Sequence, residues 1–411
     1  MSARRVVVTG IGAVTPVGTG ADGLWAGVVR NQSAVREIDR FDASPFPSRI
    51  AAHVDDFHPE DHLDAKRARR LDRFSQFSVA AARMAVEHAG WTDIAASAER
   101  TGVWIGSALG GVAFGEEQHA NYVTRGVRAV APTLATAVFG GAGASNVSID
   151  LGIRGPAVGN ANSCASGSMA IGQAFHAIRA GIADAALAGG AEAPLAPLTF
   201  GAFALIRVLS ARNDEPVTAS RPFDVDRDGF VMGEGAAILA LEERDAAESR
   251  GARILGEVAG FGASTDAYHL TAPLPSGEAA AAAVTTALGD AGLAAEEIGY
   301  VNAHASSTQL NEIAEVKALH LALGAHAATM PVSGTKGLYG HALGASGAIE
   351  AAITLLAMDA GCLPGTCNLV NLDPKCELNV LRAPLSARPA AALSTSFGFG
   401  GMNAALVFRA A

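Results

Sequence analysis

Arg4 to Thr15 reads RRVVVTGIGAVT, and Arg253 to Asp266 reads RILGEVAGFGASTD. Each opens on a basic residue, runs through an apolar segment and arrives at G-x-G-A, as a β-strand entering a glycine turn would. The recurrence predicts an internal duplication. A second echo supports it: Ala165-Ser166-Gly167 opens a small-residue helix ending at Ala180-Gly181, and Ala345-Ser346-Gly347 opens one ending at Ala360-Gly361. The two echoes have different offsets, so the first half must carry extra excursions. Two related α/β halves follow, 1–250 and 251–411, joined near the charged, helix-like run Glu242 to Arg253. Strand-like runs (Val103–Ile105, Ala185–Leu187, Ala236–Leu241, Leu406–Phe408) alternate with helical ones such as Ser75–Gly90, predicting helices packed on mixed sheets. The G-I-G-A-V-T turn invites a dinucleotide-binding reading. The third glycine of that fingerprint is missing, and no acidic residue follows about 20 positions on.

Composition bounds the chemistry. Half of the 411 residues are apolar, aromatics reach only 6%, and 47 glycines accompany abundant alanine, so helices should pack closely through small side chains. The longest apolar stretches, such as Ala351–Met358, fall short of the ~20 residues that span a bilayer, so no membrane segment is expected. Met1 to Gly10 reads as a first strand and not as a secretion signal. Four cysteines do not make a disulfide framework, and Cys362, Cys367 and Cys376 lack the paired spacing of a zinc site. A reducing cytoplasm and no metal are therefore expected. The net charge of -10 disfavours nucleic-acid binding. Lys66, Arg67, Arg69, Arg70 and Arg73 form a local basic cluster on one predicted helix, either a docking patch for an acidic partner or a solvated face.

Four segments carry chemistry. In NANSCASGSM (Asn160–Met169) a cysteine stands among small residues just before a helical run. The positive end of the helix macrodipole would favour a thiolate there; a buried structural cysteine is the alternative. VNAHASST (Val301–Thr308) places His304 in a turn after a short strand, with Ser306 and Thr308 able to hold the loop and Glu312 and Glu315 on the following helix. SGTKGLYGHALGASG (Ser333–Gly347) places His341 in a glycine-rich strand-to-helix turn, five residues after Lys336. A cysteine and two histidines in such settings point together to a Cys-His-His site. STSFGFGGMN (Ser394–Asn403) is either half of an oxyanion hole or the turn of a last hairpin.

These segments in this order, with ASRPFDVDRDGFVMGEGAAILALE (Ala219–Glu242), resemble the 3-oxoacyl-[acyl-carrier-protein] synthase II family from Arg4 to Phe408. Thiolases would place a second cysteine in the late loop, and starter-type synthases an asparagine where His341 stands. The resemblance implies the thiolase fold, two duplicated α/β halves in a five-layered α/β/α/β/α core, and a decarboxylating condensation in fatty-acid or polyketide elongation. It implies Cys164 as acyl acceptor, His304 and His341 as the decarboxylating imidazoles, and Lys336 and Glu350 as their organisers. The amides of Cys164 and Phe399 would form the oxyanion hole, with Phe399 also gating the acyl pocket. Leu109 and Phe203 match acyl-tunnel positions, Asp266 and His269 a second mobile loop, and Ser306, Thr308 and Met402 the surrounding substrate site. Lys66, Arg69, Arg70, Arg125, Arg128 and Arg207 match positions that face an acyl carrier protein.

The implied substrates ride on the carrier's phosphopantetheine, so no further cofactor is expected. The implied assembly is a homodimer, or a heterodimer with a chain-length-factor-like subunit. Cys164 argues against a noncatalytic binding subunit. Three positions depart from the family's usual pattern: Ser163 for alanine, Ala305 for glycine and Met402 for threonine. They leave the trio intact and point to a specialised polyketide or polyene pathway as the alternative to fatty-acid elongation.

Overall fold

Every residue of β1 (Val6–Thr15) is buried, as a strand covered by helices on both faces must be. The computed structural model describes residues 4–411; Met1 to Ala3, at the start of the segment read as a first strand, lie outside them. From β1 the chain runs through α1 (Arg73–Ala89), β2 (Thr101–Gly106), α2 (Val112–Arg125), α3 (Ala142–Leu151) and β3 (Ala157–Asn160). It continues through α4 (Ser166–Arg179), β4 (Ala185–Glu192), α5 (Pro197–Leu205) and β5 (Gly235–Glu243). Then come β6 (Gly256–Thr265), α6 (Glu278–Ala291), β7 (Val301–Asn302), α7 (Asn311–Leu323) and β8 (Pro331–Ser333). The chain closes with α8 (Ser346–Ala360), β9 (Asn379–Val380), β10 (Ala391–Gly398) and β11 (Met402–Arg409).

The strands follow one order twice. β1, β5, β4, β2 and β3 lie side by side with antiparallel, antiparallel, parallel and parallel pairings. β6, β11, β10, β7 and β8 repeat that series. The two sets meet where β1 pairs antiparallel with β6, Val6 opposite Val258. α1 and α3 cover one outer face and α6 and α7 the other, while α4 and α8 pack between the two sets of strands. Five layers result, α/β/α/β/α.

The repeated G-x-G does not turn the chain, as the sequence reading expected. Gly10 and Gly12 sit within β1, where a Cβ would collide with the carbonyls of Ala85 and Ala81 on α1. Gly260 and Gly262 meet Ala287 and Ala283 on α6 in the same way. The motif lets a helix backbone lie directly on a strand, which leaves no phosphate-cradling turn. The joining segment also differs from its reading: β5 runs through Glu243, and only Arg244–Ser249 is helical.

The middle layer holds the one described helix that is long and apolar enough to cross a membrane. Leu343–Ala360 has a mean hydropathy of 1.3 over 18 residues, and 89% of it is buried inside the protein, so burial between sheets accounts for its apolarity. The apolar run is longer than the expected Ala351–Met358 because small residues extend it toward the N-terminus. Each central helix is entered by a single tight turn, Ser163–Ala165 before α4 and Leu343–Ala345 before α8. Ser163 (φ 53°) and Leu343 (φ 41°) both take left-handed backbone to make that entry. Gly167 and Gly347 let the helices touch: a Cβ on Gly167 would lie 2.8 Å from the amide nitrogen of Ala348.

Candidate active site

Cys164 occupies the turn leading into α4 and is buried. Its Sγ lies 3.1 Å from His341 Nε2. His341 follows the short helix Lys336–Tyr339, so its turn joins two helices and not a strand to a helix. Its Nδ1 lies 2.8 Å from the Ser346 hydroxyl at the start of α8. The His304 ring stands 5.3 Å from that of His341, nearly perpendicular. Two halves of the duplicated chain thus contribute facing elbows, one carrying sulfur and the other imidazole.

The loop of His304 is held from beneath. Glu315 on α7 accepts the amide N–H groups of His304 and Ala305, each at 2.8 Å, and the Thr395 hydroxyl at 2.8 Å. Glu312 accepts the amide of Ser307 at 2.5 Å. These clamps hold Ala305 (φ 38°) and Ser307 (φ 68°) in left-handed backbone. Lys336 donates to the His304 carbonyl at 2.5 Å, lies 3.4 Å from its Nδ1, and is ion-paired with Glu350. An ammonium only donates, so Nδ1 is the acceptor and the neutral ring carries its proton on Nε2.

Burial sets the ionisation states. It pushes the Cys164 thiol up, against the opposing pull of the Ser163 hydroxyl, the Lys336 charge and the Phe399 N–H. With the thiol pushed up and the imidazole pushed down, the resting pair is a thiol hydrogen-bonded to a neutral imidazole, not the thiolate that the helix start suggested. Burial also drives His304 and His341 well below 6.5, with the Lys336 ammonium adding to the effect on both. Glu350 is pushed up to about 8 by burial, although Lys336 pulls the other way.

A cavity of about 360 Å³ opens on this trio, walled by Ala108, Leu109, Phe203, Phe230, Leu343 and Phe399. Phe399 belongs to the turn between β10 and β11, so the glycine-dense segment is a hairpin turn and also faces the sulfur. Gly398 presses on the nucleophile turn, where a Cβ would lie 2.9 Å from the Cys164 nitrogen. Phe399 stacks on Phe203, Phe203 meets Phe230 edge-on, and Phe230 meets His341 edge-on at 5.2 Å.

Chain comparison decides the family. The description "Beta-ketoacyl synthase, N-terminal domain" matches residues 3–247, and "Beta-ketoacyl synthase, C-terminal domain" matches residues 255–370. The chain belongs to the beta-ketoacyl synthase family. It is 43% identical over 407 residues to a Synechocystis protein named 3-oxoacyl-[acyl-carrier-protein] synthase 2, covering 99% of this chain and 98% of that one. Among solved structures, it is similar to the ishigamide ketosynthase/chain length factor at TM-score 0.93, 33% identity and complete coverage (100%) of both chains. The same identity and coverage, at TM-score 0.92, relate it to a type II PKS ketosynthase bound to the hexaketide and solved with its acyl-carrier protein. The architecture of this synthase-family chain is the thiolase fold.

Other residues singled out in the sequence fall in three places. Asp266, Ser306 and Thr308 line the cavity; Asp266 accepts from Leu274 N at 2.8 Å and Asn403 Nδ2 at 2.7 Å, and the Ser306 and Thr308 hydroxyls lie 3.0 Å apart. His269 lies outside the lining; its Nδ1 accepts the amides of Thr271 and Ala272 at 3.1 Å and so shapes the loop that does line it. Met402 is also outside, its sulfur 4.0 Å from Asn162 Nδ2, while Lys336 and Glu350 lie fully buried beneath His304. The basic cluster is not one helix: the turn Ala65–Ala68 ends before Asp72 caps α1. Arg67 pairs with Asp150 and Arg73 with Glu234. Lys66, Arg69, Arg70, Arg125, Arg128 and Arg207 are exposed, and among the described residues none has an ion-pair partner. Arg207 stands at the cavity.

Sequence reading missed Phe230 and Glu192. Glu192, at the end of β4, accepts from the Ser107 hydroxyl and from the amides of Ala108, Leu109 and Gly344 at 2.6–3.2 Å. It joins the tunnel wall to the His341 turn, and burial pushes its carboxyl up to about 7. The one available signal was an acidic residue closing an apolar strand, AALAGGAE.

Proposed function

We propose that the chain is a decarboxylating acyltransferase that joins an acyl group to a malonyl-carrier protein, giving a 3-oxoacyl-carrier protein. The observation that carries this is the Cys164 sulfur 3.1 Å from His341 Nε2, with His304 facing the same cavity. In the first stage the Cys164 thiol gives its proton to His341 and the sulfur attacks the thioester carbonyl of an acyl-carrier. The carrier's pantetheine sulfur leaves and takes a proton from water, the acyl group remains on Cys164, and His341 returns to neutrality by giving up its Nδ1 proton toward the Ser346 hydroxyl, so that it keeps N–H on Nε2. In the second stage a malonyl-carrier loses carbon dioxide, and the electron pair of the broken C–C bond moves onto the thioester oxygen. Neutral His304 and His341 donate to that oxygen, stabilising charge that develops only in the transition state. The enolate carbon attacks the acyl carbonyl, whose oxygen is held by the Cys164 and Phe399 amides. The bond to Cys164 then breaks and the sulfur is reprotonated.

In this reading Lys336 and Glu350 hold His304, and Phe399 gates the pocket lined by Leu109 and Phe203. Asp266 and His269 shape the loop at its mouth, Ser306 and Thr308 meet the phosphopantetheine arm, and Met402 acts through the loop preceding Cys164. The acyl and malonyl groups arrive on phosphopantetheine, and the chemistry calls on no further cofactor. An acyl carrier protein is the partner, docking against the six unpaired basic residues. Residues 1–250 carry the nucleophile and 251–411 both imidazoles, and the cytoplasm is the compartment. The exposed edge strand β3 suits pairing with a second subunit, a copy or a chain-length-factor-like homologue. Likeness to a type II PKS ketosynthase structure at 33% identity supports the specialised alternative, as 43% identity to a 3-oxoacyl-[acyl-carrier-protein] synthase 2 supports fatty-acid elongation. Intact-mass measurement after incubation with a panel of acyl-carriers tests the proposal: an acyl adduct on Cys164 is expected, and its absence with every donor overturns it.

A further inference from the structure

Ser163, Ala305 and Met402 are the three unusual residues near the trio, and the structure separates them. Ala305 is wholly buried in the His304 loop, and Met402 packs against Asn162, whereas Ser163 lines the cavity beside the nucleophile. Its left-handed φ of 53° belongs to the turn into α4. Among the described residues its hydroxyl has a single side-chain contact, the Cys164 sulfur at 3.9 Å. That is a weak hydrogen bond, so the donor and lone pairs remain available to whatever the sulfur carries. The cavity wall it belongs to includes the apolar Ala108, Leu109, Ala161 and Leu343. A hydroxyl so close to a thioester sulfur reaches the first carbons of the acyl chain and none of its tail.

We propose that Ser163 is a specificity-determining residue, whose hydroxyl binds an oxygen on the third carbon of the acyl group held by Cys164. The preferred class of acyl donor is thus the 3-oxo or 3-hydroxy thioester, not its saturated counterpart. This rests on the proposed acylation of Cys164. A hydrogen bond to such an oxygen discriminates against the chain that lacks it, because an apolar CH₂ leaves the hydroxyl unpaired on a half-buried wall.

The test offers equimolar octanoyl and 3-hydroxyoctanoyl thioesters of N-acetylcysteamine, which need no carrier docking, and reads the ratio of the two adducts on Cys164 by intact mass at early times. Wild type is expected to favour the 3-hydroxy adduct. In both Ser163→Ala and Ser163→Gly, the latter suited to the left-handed backbone, that ratio is expected to fall by about three- to tenfold. A ratio unchanged in both variants overturns the proposal, whatever the absolute rates. An adduct with either thioester sustains Cys164 as the acyl acceptor; none with either, in wild type, overturns that reading and this one with it.

Discussion

At the residue scale, placement and not a low pKa distinguishes Cys164. Burial raises its thiol, and also lifts Cys367 to about 11 and Cys376 to about 12. Among the described residues, only Cys164 of the cysteines combines a cavity with an imidazole acceptor within hydrogen-bond reach. Iodoacetamide is therefore expected to alkylate Cys164 fastest of the four and abolish condensation, with peptide mapping identifying the site; equal labelling of Cys362 with activity retained would sink the assignment. Ala305 shows how the chain tolerates a side chain where glycine is usual. Left-handed backbone costs about 1–2 kcal/mol for a residue with a Cβ. Changing it to glycine relieves that strain but loses about 0.8 kcal/mol of buried methyl and about 0.5–1 kcal/mol of chain entropy. Ala305→Gly should thus unfold within about 1 kcal/mol of wild type. A denaturant titration giving a shift of more than about 2 kcal/mol would contradict this balance.

At the scale of elements, the decisive device is α7 clamping the His304 loop. Glu315→Ala leaves the Ala305 N–H, the Thr395 hydroxyl and the Asn311 side-chain amide without their acceptor, while the His304 N–H keeps Thr395 Oγ1 at 3.1 Å, and should destabilise by on the order of 3 kcal/mol. Chemical denaturation measures it, and a loss under about 1 kcal/mol would show that other groups hold the loop. The imidazoles give a pH prediction. Both lie well below 6.5 when folded, so the unfolded chain binds more protons as pH falls through 6.5. Their contribution to stability is present above about 6.5 and is lost in acid. By the same shift they stay neutral donors at pH 6, so carbon dioxide release from pre-acylated enzyme should be flat between about pH 6 and 8. An apparent pKa close to 6.5 in that rate would mean that the imidazoles titrate normally. Replacing either by alanine should slow this release about 10²- to 10³-fold while Cys164 still acylates. Equal release in both variants would assign the step elsewhere.

At the scale of the whole molecule, a chain with net charge -10 must recruit an acidic carrier through a local patch. In the proposed reading the exposed cations without carboxylate partners supply it: Arg67 and Arg73 of the basic cluster are spent on internal pairs, Lys66, Arg69 and Arg70 are not. Reversing Lys66 and Arg69 to glutamate should raise KM for carrier-bound substrate and flatten its salt dependence, with acylation by a small thioester unchanged. Parallel losses with both donors would indicate a folding defect instead.

The sequence by itself determined the duplication, the α/β class and the cysteine and two histidines that the structure brings to one cavity. Each is a local property: a strand and its glycines recur at β1 and β6, and a Cys or His among small residues marks an approachable turn. Where a glycine is explained by something distant, local reading failed. G-x-G looked like a turn because the helix backbone resting on Gly10 and Gly12 comes from Ala81 and Ala85. One basic helix became two because Asp72 caps a new start. Glu192 and Phe230 stayed invisible, since a carboxyl gathering the Ser107 hydroxyl and the amides of residues 108, 109 and 344 has no signature at any sequence spacing. Tertiary structure alone decided that Ser163 faces the cavity while Met402 does not, and that Cys164 rests as a thiol. Both follow from the crossing of α4 and α8, which buries the sulfur and brings His341 to it. That desolvation raises the thiol, and no single segment of the chain contains it.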